Sequence, residues 1–251
     1  MSSNQQTLNT FGPVNVFGCP DDDQIFFYKS VMKVDADGAP NAIGPHNTGL
    51  DKTSSAGHPG NWWGVATNNG QANGTPVLQR DANLPPGVTN PFPNLYISTT
   101  ALGDARFREQ DVRRYVNADQ IPYISLTGAA WDWARTKRGL QKGDLAFVSL
   151  GGRSAFAIFA EIGGSQLGEG SMALARMLGG TGNPRSEILR NHVIYVVFPG
   201  SGAGRPLTLD QIKGMGRAAF NIWGGFPKLW RLFPEEHLGD FVVPPSIASM
   251  A

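Results

Sequence analysis

The chain has 251 residues, 41% of them hydrophobic and only 16% charged, enough to bury a sizeable core. With 21 Lys plus Arg against 20 Asp plus Glu, its formal charge of +1 excludes bulk attraction to nucleic acid or to an acidic membrane surface. The lone Cys19 excludes a disulfide framework and a cysteine-rich zinc site, and 32 Gly with 18 Pro imply a turn-rich, strand-rich fold with few helices.

Residues 1–10 are polar and expected to be loose, so residues 1–20 read as a flexible N-terminal segment and 21–251 as a single domain. The opening MSSNQQTLNT has neither the basic stretch nor the apolar run of a signal peptide, and no segment is long enough to span a bilayer. Cytoplasmic action and export by another route both stay open. The run IFFYKSVMKV at 25–34 predicts a strand leading to the turn Asp35-Ala36-Asp37-Gly38. Residues 39–94, rich in Gly, Asn, Pro and Ser, form a long irregular insertion, which in a compact domain is either mobile or builds a binding surface. Short strands are expected at 95–98 and 121–126, with a weakly patterned helix at 106–115. Residues 144–150 and 154–160 flank Gly151-Gly152-Arg153 and make the clearest hairpin, with Glu161 where the second strand ends. Ser171 can cap a helix through Leu178, which places Glu169 on its entry turn. A strand at 193–198 follows. Thr208 with Gln211 then makes a capping box for a helix to about Phe220, and Trp223, Phe226, Trp230 and Phe233 are expected to close over the core.

The stretch FAIFAEIGGSQLGEGS at 156–171 supplies two carboxylates, Glu161 and Glu169. Inverting glycoside hydrolysis needs a protonated acid at the leaving oxygen and a carboxylate that activates water from the opposite face, roughly 6.5–9.5 Å apart. A return through Gly163, Gly164 and Gly168 can bring both side chains into one cleft, where desolvation raises the pKa of an acid. The same residues also fit a solvated strand end and an acid that favours a helix start.

Asp35 and Asp37 lie one residue apart on an extended segment and face one way, either to meet a cationic ligand, to hold Lys29, or as a surface Asx turn. Gly38 directly after Asp37 breaks the spacing of a calcium loop. Trp62 and Trp63 are candidates for stacking on sugar rings, but neighbours on an extended segment face opposite ways, so only one is expected to touch ligand. Asp144 follows Gly143 and reads first as a backbone cap, second as a substrate contact. Ser171 is not embedded in G-x-S-x-G, His46, His58, His192 and His237 lack paired metal-ligand spacing, and the glycines at 200–204 lack a phosphate-binding pattern. No metal or other cofactor is expected.

In order, FFYKSVMKVDADG ending at Gly38, DKTSS from Asp51, QIPYISL from Gln120, KGDLAFVSLGGRSAFAIFAEIGG from Lys142 and LGEGSMALARMLG from Leu167 resemble the fungal-type chitosanases of glycoside hydrolase family 75. The resemblance implies a mainly β, α+β fold around a six-stranded double-psi β-barrel, and endo-acting, inverting hydrolysis of β-1,4-linked amino-sugar polymer. It implies Glu169 as general acid and puts Glu161 in the place of the family's aspartate, as general base. Lys29, Asp35, Asp37, Trp62, Trp63 and Asp144 are then the candidate substrate contacts, in a monomer whose partner is a polysaccharide and not a nucleic acid. In this chain Glu replaces the family's Asp and the following loop is compressed, a change the longer side chain can offset. Two alternatives stand beside this reading: a peptidoglycan-cleaving hydrolase or lytic enzyme, including an exported bacterial effector, and a carbohydrate-binding protein without catalysis.

Overall fold

A computed structural model describes residues 5–22, 24–81 and 90–234. Residues 82–89 of the expected insertion, and the end of the tail with His237, lie outside the described residues. The chain opens with a hairpin, β1 (Gln6–Phe11) and β2 (Val14–Gly18), that pairs onto β3 (Phe26–Asp35). This corrects the expectation of a loose segment over residues 6–18. Val14 and Val16 alternate inward and are buried, but two apolar positions in a polar run are too few to read as a strand. Within the irregular region, β4 (Gly57–His58) and β5 (Asn61–Trp62) form a small separate hairpin. Then come β6 (Tyr123–Leu126), α1 (Gly128–Lys137), β7 (Leu145–Leu150), β8 (Arg153–Ile162), β9 (Glu169–Ser171), α2 (Met172–Met177), β10 (Ile188–Phe198), α3 (Leu209–Trp223) and α4 (Gly225–Leu232).

The main sheet runs β1-β2-β3-β10-β7-β8-β6-β9, and β9 also pairs with β3. That last pairing closes β3, β10, β7, β8, β6 and β9 into the six-stranded mixed barrel the resemblance implies, with β6·β8 and β3·β9 as its parallel pairs. Closure removes the open edges that an exposed strand would leave. β7 is buried on both faces, which is why its sequence LAFVSL does not alternate. On its outer face Phe147 stacks on Phe220 of α3 with ring centroids 4.3 Å apart. On its inner face Val148 lies level with Tyr195, which stacks on Tyr28 at 4.6 Å.

Capping residues set the helices. Ser171 accepts a hydrogen bond from the Leu174 N–H to start α2, and Thr208 with Gln211 forms the expected capping box of α3, which turns Ile212, Gly216, Phe220 and Trp223 inward. The helix expected at 106–115 is replaced by turns and one 3-10 turn, Val112–Arg114, because the Asp111 carboxylate bonds locally to the Arg113 N–H. At 95–98 only isolated bridges form, Val65 with Ser98 and Leu78 with Tyr96. Helix α1 was not legible in the sequence. Thr127 caps it, and only Ala130 and Ala134 are buried on it, so it carries little apolar periodicity.

The segment before β9 is clamped to β3: the Ser30 hydroxyl donates to Leu167 O at 2.7 Å and the Lys33 N–H donates to Gly168 O at 2.9 Å. Gly168 has φ +103°, and a β-carbon there would stand 2.0 Å from Val31 O. Gly139 has φ +72° with open space around it. Gly168→Ala should therefore lower stability by about 2–4 kcal/mol and Gly139→Ala by only about 1 kcal/mol. Thermal denaturation of the two variants checks this, and equal losses would contradict the crowding argument.

Candidate active site

The barrel's closing pairs bring the acidic residues together. Ser125 of β6 is in register with Glu161 of β8 on one side and with Glu169 of β9 on the other. Two interstrand steps of about 4.8 Å place the backbones of the two glutamates about 10 Å apart. A bulge between Ile124 and Ser125 in the β6·β8 pair skips Ala160 and brings Glu161 level with Ser125. On the far side of β9, Lys33 of β3 is in register with Glu169, and Asp35 lies two residues on, facing the same way. The chain then turns through Asp37, whose N–H donates to Asp35 Oδ1 at 2.8 Å, a half-buried counterpart of the expected Asx turn.

These groups line a cleft of about 660 Å³ that holds Asp35, Asp37, Glu161 and Glu169 together. Glu161 accepts two backbone hydrogen bonds, from Ala101 N–H to Oε2 and from Ile162 N–H to Oε1, both at 2.8 Å. The Ala101 strip is itself fixed to β8, because the Leu102 N–H donates to Ala160 O at 2.8 Å. Glu169 lies against the bare backbone of Gly164, where a β-carbon would come within 2.6 Å of Oε2. The Tyr123 hydroxyl donates to Asp37 O at 3.0 Å beneath the cluster.

Crowding of like charges away from water raises every one of these acids. Burial, then the charge of Asp35, pushes Glu161 up to about 8 against the opposing pull of its two N–H donors. Burial and Asp35 push Glu169 to about 7, while Lys33 and Ser125 hold it down. Burial lifts Asp35 to about 6, and burial with Asp35, Glu161 and Glu169 around it lifts Asp37 well above the ordinary range.

The sequence candidates divide cleanly. Trp63 lines the cleft with 57% of its surface exposed, its indole N–H fixed to Ser55 O at 3.0 Å and His58 edge-on at 6.0 Å. Trp62 turns inward against Tyr96 and borders a smaller adjoining cavity of about 290 Å³. Lys29 and Asp144 are not brought to the cleft, which corrects their reading as substrate contacts. Lys29 shares the β3 face of Asp35, but six residues of strand separate them by about 20 Å, and its ammonium lies 5.1 Å from the Phe233 ring centroid. Asp144 is buried as a backbone cap, accepting from the N–H groups of Gln141, Gly200 and Gly202.

Lys33, Asp51, Lys52, Ser125 and Glu187 were not singled out from sequence, although the first four lie in the family-like runs. Ser125 excepted, they line the cleft. Period-two spacing with Asp35 marks Lys33, whereas Asp51 and Glu187 arrive from distant loops with no local signal. Among the described residues no group of His, Cys, Asp and Glu forms a metal site, and no helix is long and apolar enough to cross a membrane.

Because Asp35, Glu161 and Glu169 have folded-state pKa values above their unfolded ones, the folded protein keeps protons that the unfolded chain releases, and stability falls as pH rises from about 4.5 to about 8. The melting temperature should drop by roughly 5 °C or more over that range. Glu169→Gln should flatten the drop and melt above the wild type at pH 8. A wild-type melting temperature that is level or rising between pH 5 and 8 would contradict the buried cluster.

No curated protein matches the chain. The family described as fungal chitosanase of glycosyl hydrolase group 75 matches residues 32–220, from β3 through Glu161 and Glu169 to α3. The barrel, its acidic cleft and this match agree: the chain belongs to the glycoside hydrolase family 75 chitosanases and is a glycosidase acting on an amino-sugar polymer.

Proposed function

We propose that the protein cleaves β-1,4-linked glucosamine polymer internally and with inversion, with Glu169 as general acid and Glu161 as general base. The observation that carries this reading is the register of Ser125, which sets the two glutamates on either side of it in one acidic cleft. Backbones about 10 Å apart leave room for a scissile bond and one water between carboxyl groups at the roughly 6.5–9.5 Å of inverting enzymes. In the step itself Glu169 gives its proton to the leaving oxygen as the C–O bond breaks. Glu161 takes a proton from the water whose oxygen bonds to the anomeric carbon from the opposite face.

Taken singly, values of about 8 for Glu161 and about 7 for Glu169 would leave the last proton on Glu161. The two carboxyls interact strongly, so the proton belongs to the pair rather than to either one alone. Two backbone N–H donors on Glu161 bind a carboxylate more strongly than a carboxyl, so they favour the ionised form that a base requires. With both groups raised, one proton shared by the pair persists near neutral pH, and the proposed roles require it on Glu169 when the glycosidic oxygen is in place.

The charge of the walls favours an amino-sugar chain over peptidoglycan. Beyond the four clustered acids, Asp51 and Glu187 line the cleft against Lys33, Lys52 and Arg185. The Arg185 guanidinium is occupied by the carbonyls of Asn47, Gly49 and Leu50. The acidic groups of the wall complement the C2 ammonium of glucosamine, whereas the free carboxylates of a peptidoglycan stem peptide would be repelled. Asp35, the lower of the two at about 6, supplies charge for such an ammonium, and Asp37 a polar carboxyl beside it. The fixed, exposed face of Trp63 offers a stacking surface for a sugar ring.

Kinetics with two leaving groups tests the roles. Glu169→Gln should lose about 100-fold to 10,000-fold in kcat on glucosamine oligomers. It should stay near wild type on a β-glucosaminyl fluoride, whose leaving group needs no protonation. Glu161→Gln should fail on both, with turnover partly restored by azide as the α-glucosaminyl azide. The opposite pattern would exchange the two roles, and full activity of either variant on oligomers would remove that residue from the chemistry.

A further inference from the structure

Ser125 is the residue in the site whose position is most specific and whose bonding is least complete. It is 1% exposed, and its hydroxyl has no hydrogen-bond partner at standard geometry. A buried donor left unmatched forfeits the hydration it had in water, so such groups are rare without a cause. Its neighbour on the same face of β6, Tyr123, has spent its hydroxyl on Asp37 O, and the next serine in the site, Ser171, caps α2 and bonds Ile121 O. Of these three hydroxyls only that of Ser125 is unspent, and its nearest strand neighbours on the two sides are Glu161 and Glu169.

Of the two glutamates, Glu161 already accepts from two N–H groups, while Glu169 has no backbone donor among the described residues. We propose that Ser125 is a positioning residue for the general acid: its hydroxyl is the donor that receives the Glu169 carboxylate once the proton has left for the glycosidic oxygen. This inference rests on the assignment of Glu169 as acid. No bond of Ser125 changes in the step. Its O–H rotates toward the carboxylate as charge develops there, and a hydrogen bond to an ion forms where a weak contact stood. The direction in which Ser125 acts on Glu169, favouring its ionised form, agrees with this placement. The other charged groups facing Glu169 are Lys33 and Asp35 from β3, Asp37 from the turn after it, Glu161 from β8 and Asp51 from the following loop. Lys33, the one cation among these, is half-buried at the cleft wall, so Ser125 is the neutral donor of the set and lies beneath the acid.

Ser125→Ala tests this, because removing an unmatched buried hydroxyl should leave the fold as stable as before or more so. On glucosamine oligomers kcat should fall by about tenfold to hundredfold with KM within about twofold. On β-glucosaminyl fluoride, which needs no acid, kcat should stay near wild type. The alkaline limb of the oligomer pH profile should move to higher pH, since the ionised form of Glu169 has lost its donor. Equal loss on both substrates, a wild-type kcat on oligomers, or a lowered melting temperature accompanied by an unmoved pH limb would each overturn the proposal. If Glu169→Gln loses activity equally on both substrates, the acid assignment itself falls and this inference with it. A wild-type Ser125→Ala beside a Glu169→Gln that fails on oligomers alone overturns only the role of Ser125.

Discussion

Everything in the site depends on the three-residue strand β9 pairing on both sides at once, parallel to β3 and antiparallel to β6. That double pairing closes the barrel and, in the same residues, sets Glu169 between Lys33 and Ser125. A strand so short has little stability of its own. It is held because Leu167 and Gly168 are fastened to β3 just before it and Ser171 begins α2 just after it. Fold closure and acid placement are therefore one constraint, and a change that loosens one loosens the other.

The barrel then works against its own electrostatics. Four of the carboxyl groups lining the cleft cluster together, and each is raised by burial, with like charges adding to the rise. The cluster is tolerable because not all of its members ionise together near neutral pH, which is the condition an acid–base pair needs. What separates the members is hydrogen bonding. Glu161 is held by backbone donors from its own strand and from the strip at Ala101, while Glu169 faces a glycine, a lysine and a serine. The Glu161 side chain reaches both N–H groups and keeps a carboxyl facing the cleft.

Much of this could be read from the residues, and the failures have identifiable causes. Hairpins and caps declare themselves locally, as at Gly151-Gly152, Ser171 and Thr208, and those elements appear where expected. The two glutamates stood out because glycines surround them, and the parity of a strand put Asp35 and Asp37 on one side. Lys29 was misplaced because its nearness in sequence to Asp35 is about 20 Å along an extended strand. Adjacent residues facing apart separated Trp62 from Trp63 without telling which one meets the cleft. Ser125 and Asp51 were invisible because their roles arise from register and loop packing between segments far apart in the chain, and the small hairpin at the N-terminus carries too few apolar positions to announce itself.

With Glu161 activating a water on one face of the sugar and Glu169 protonating the leaving oxygen on the other, the anomeric centre inverts. The most direct measurement is the anomeric configuration of the first product formed from a β-linked glucosamine oligomer, followed by proton NMR before mutarotation. With Glu161 as base and Glu169 as acid, the new reducing end appears first as the α-anomer and then equilibrates. A β-anomer at the earliest times would mean a retaining, covalent route, and would contradict inversion and the role of Glu161 as general base.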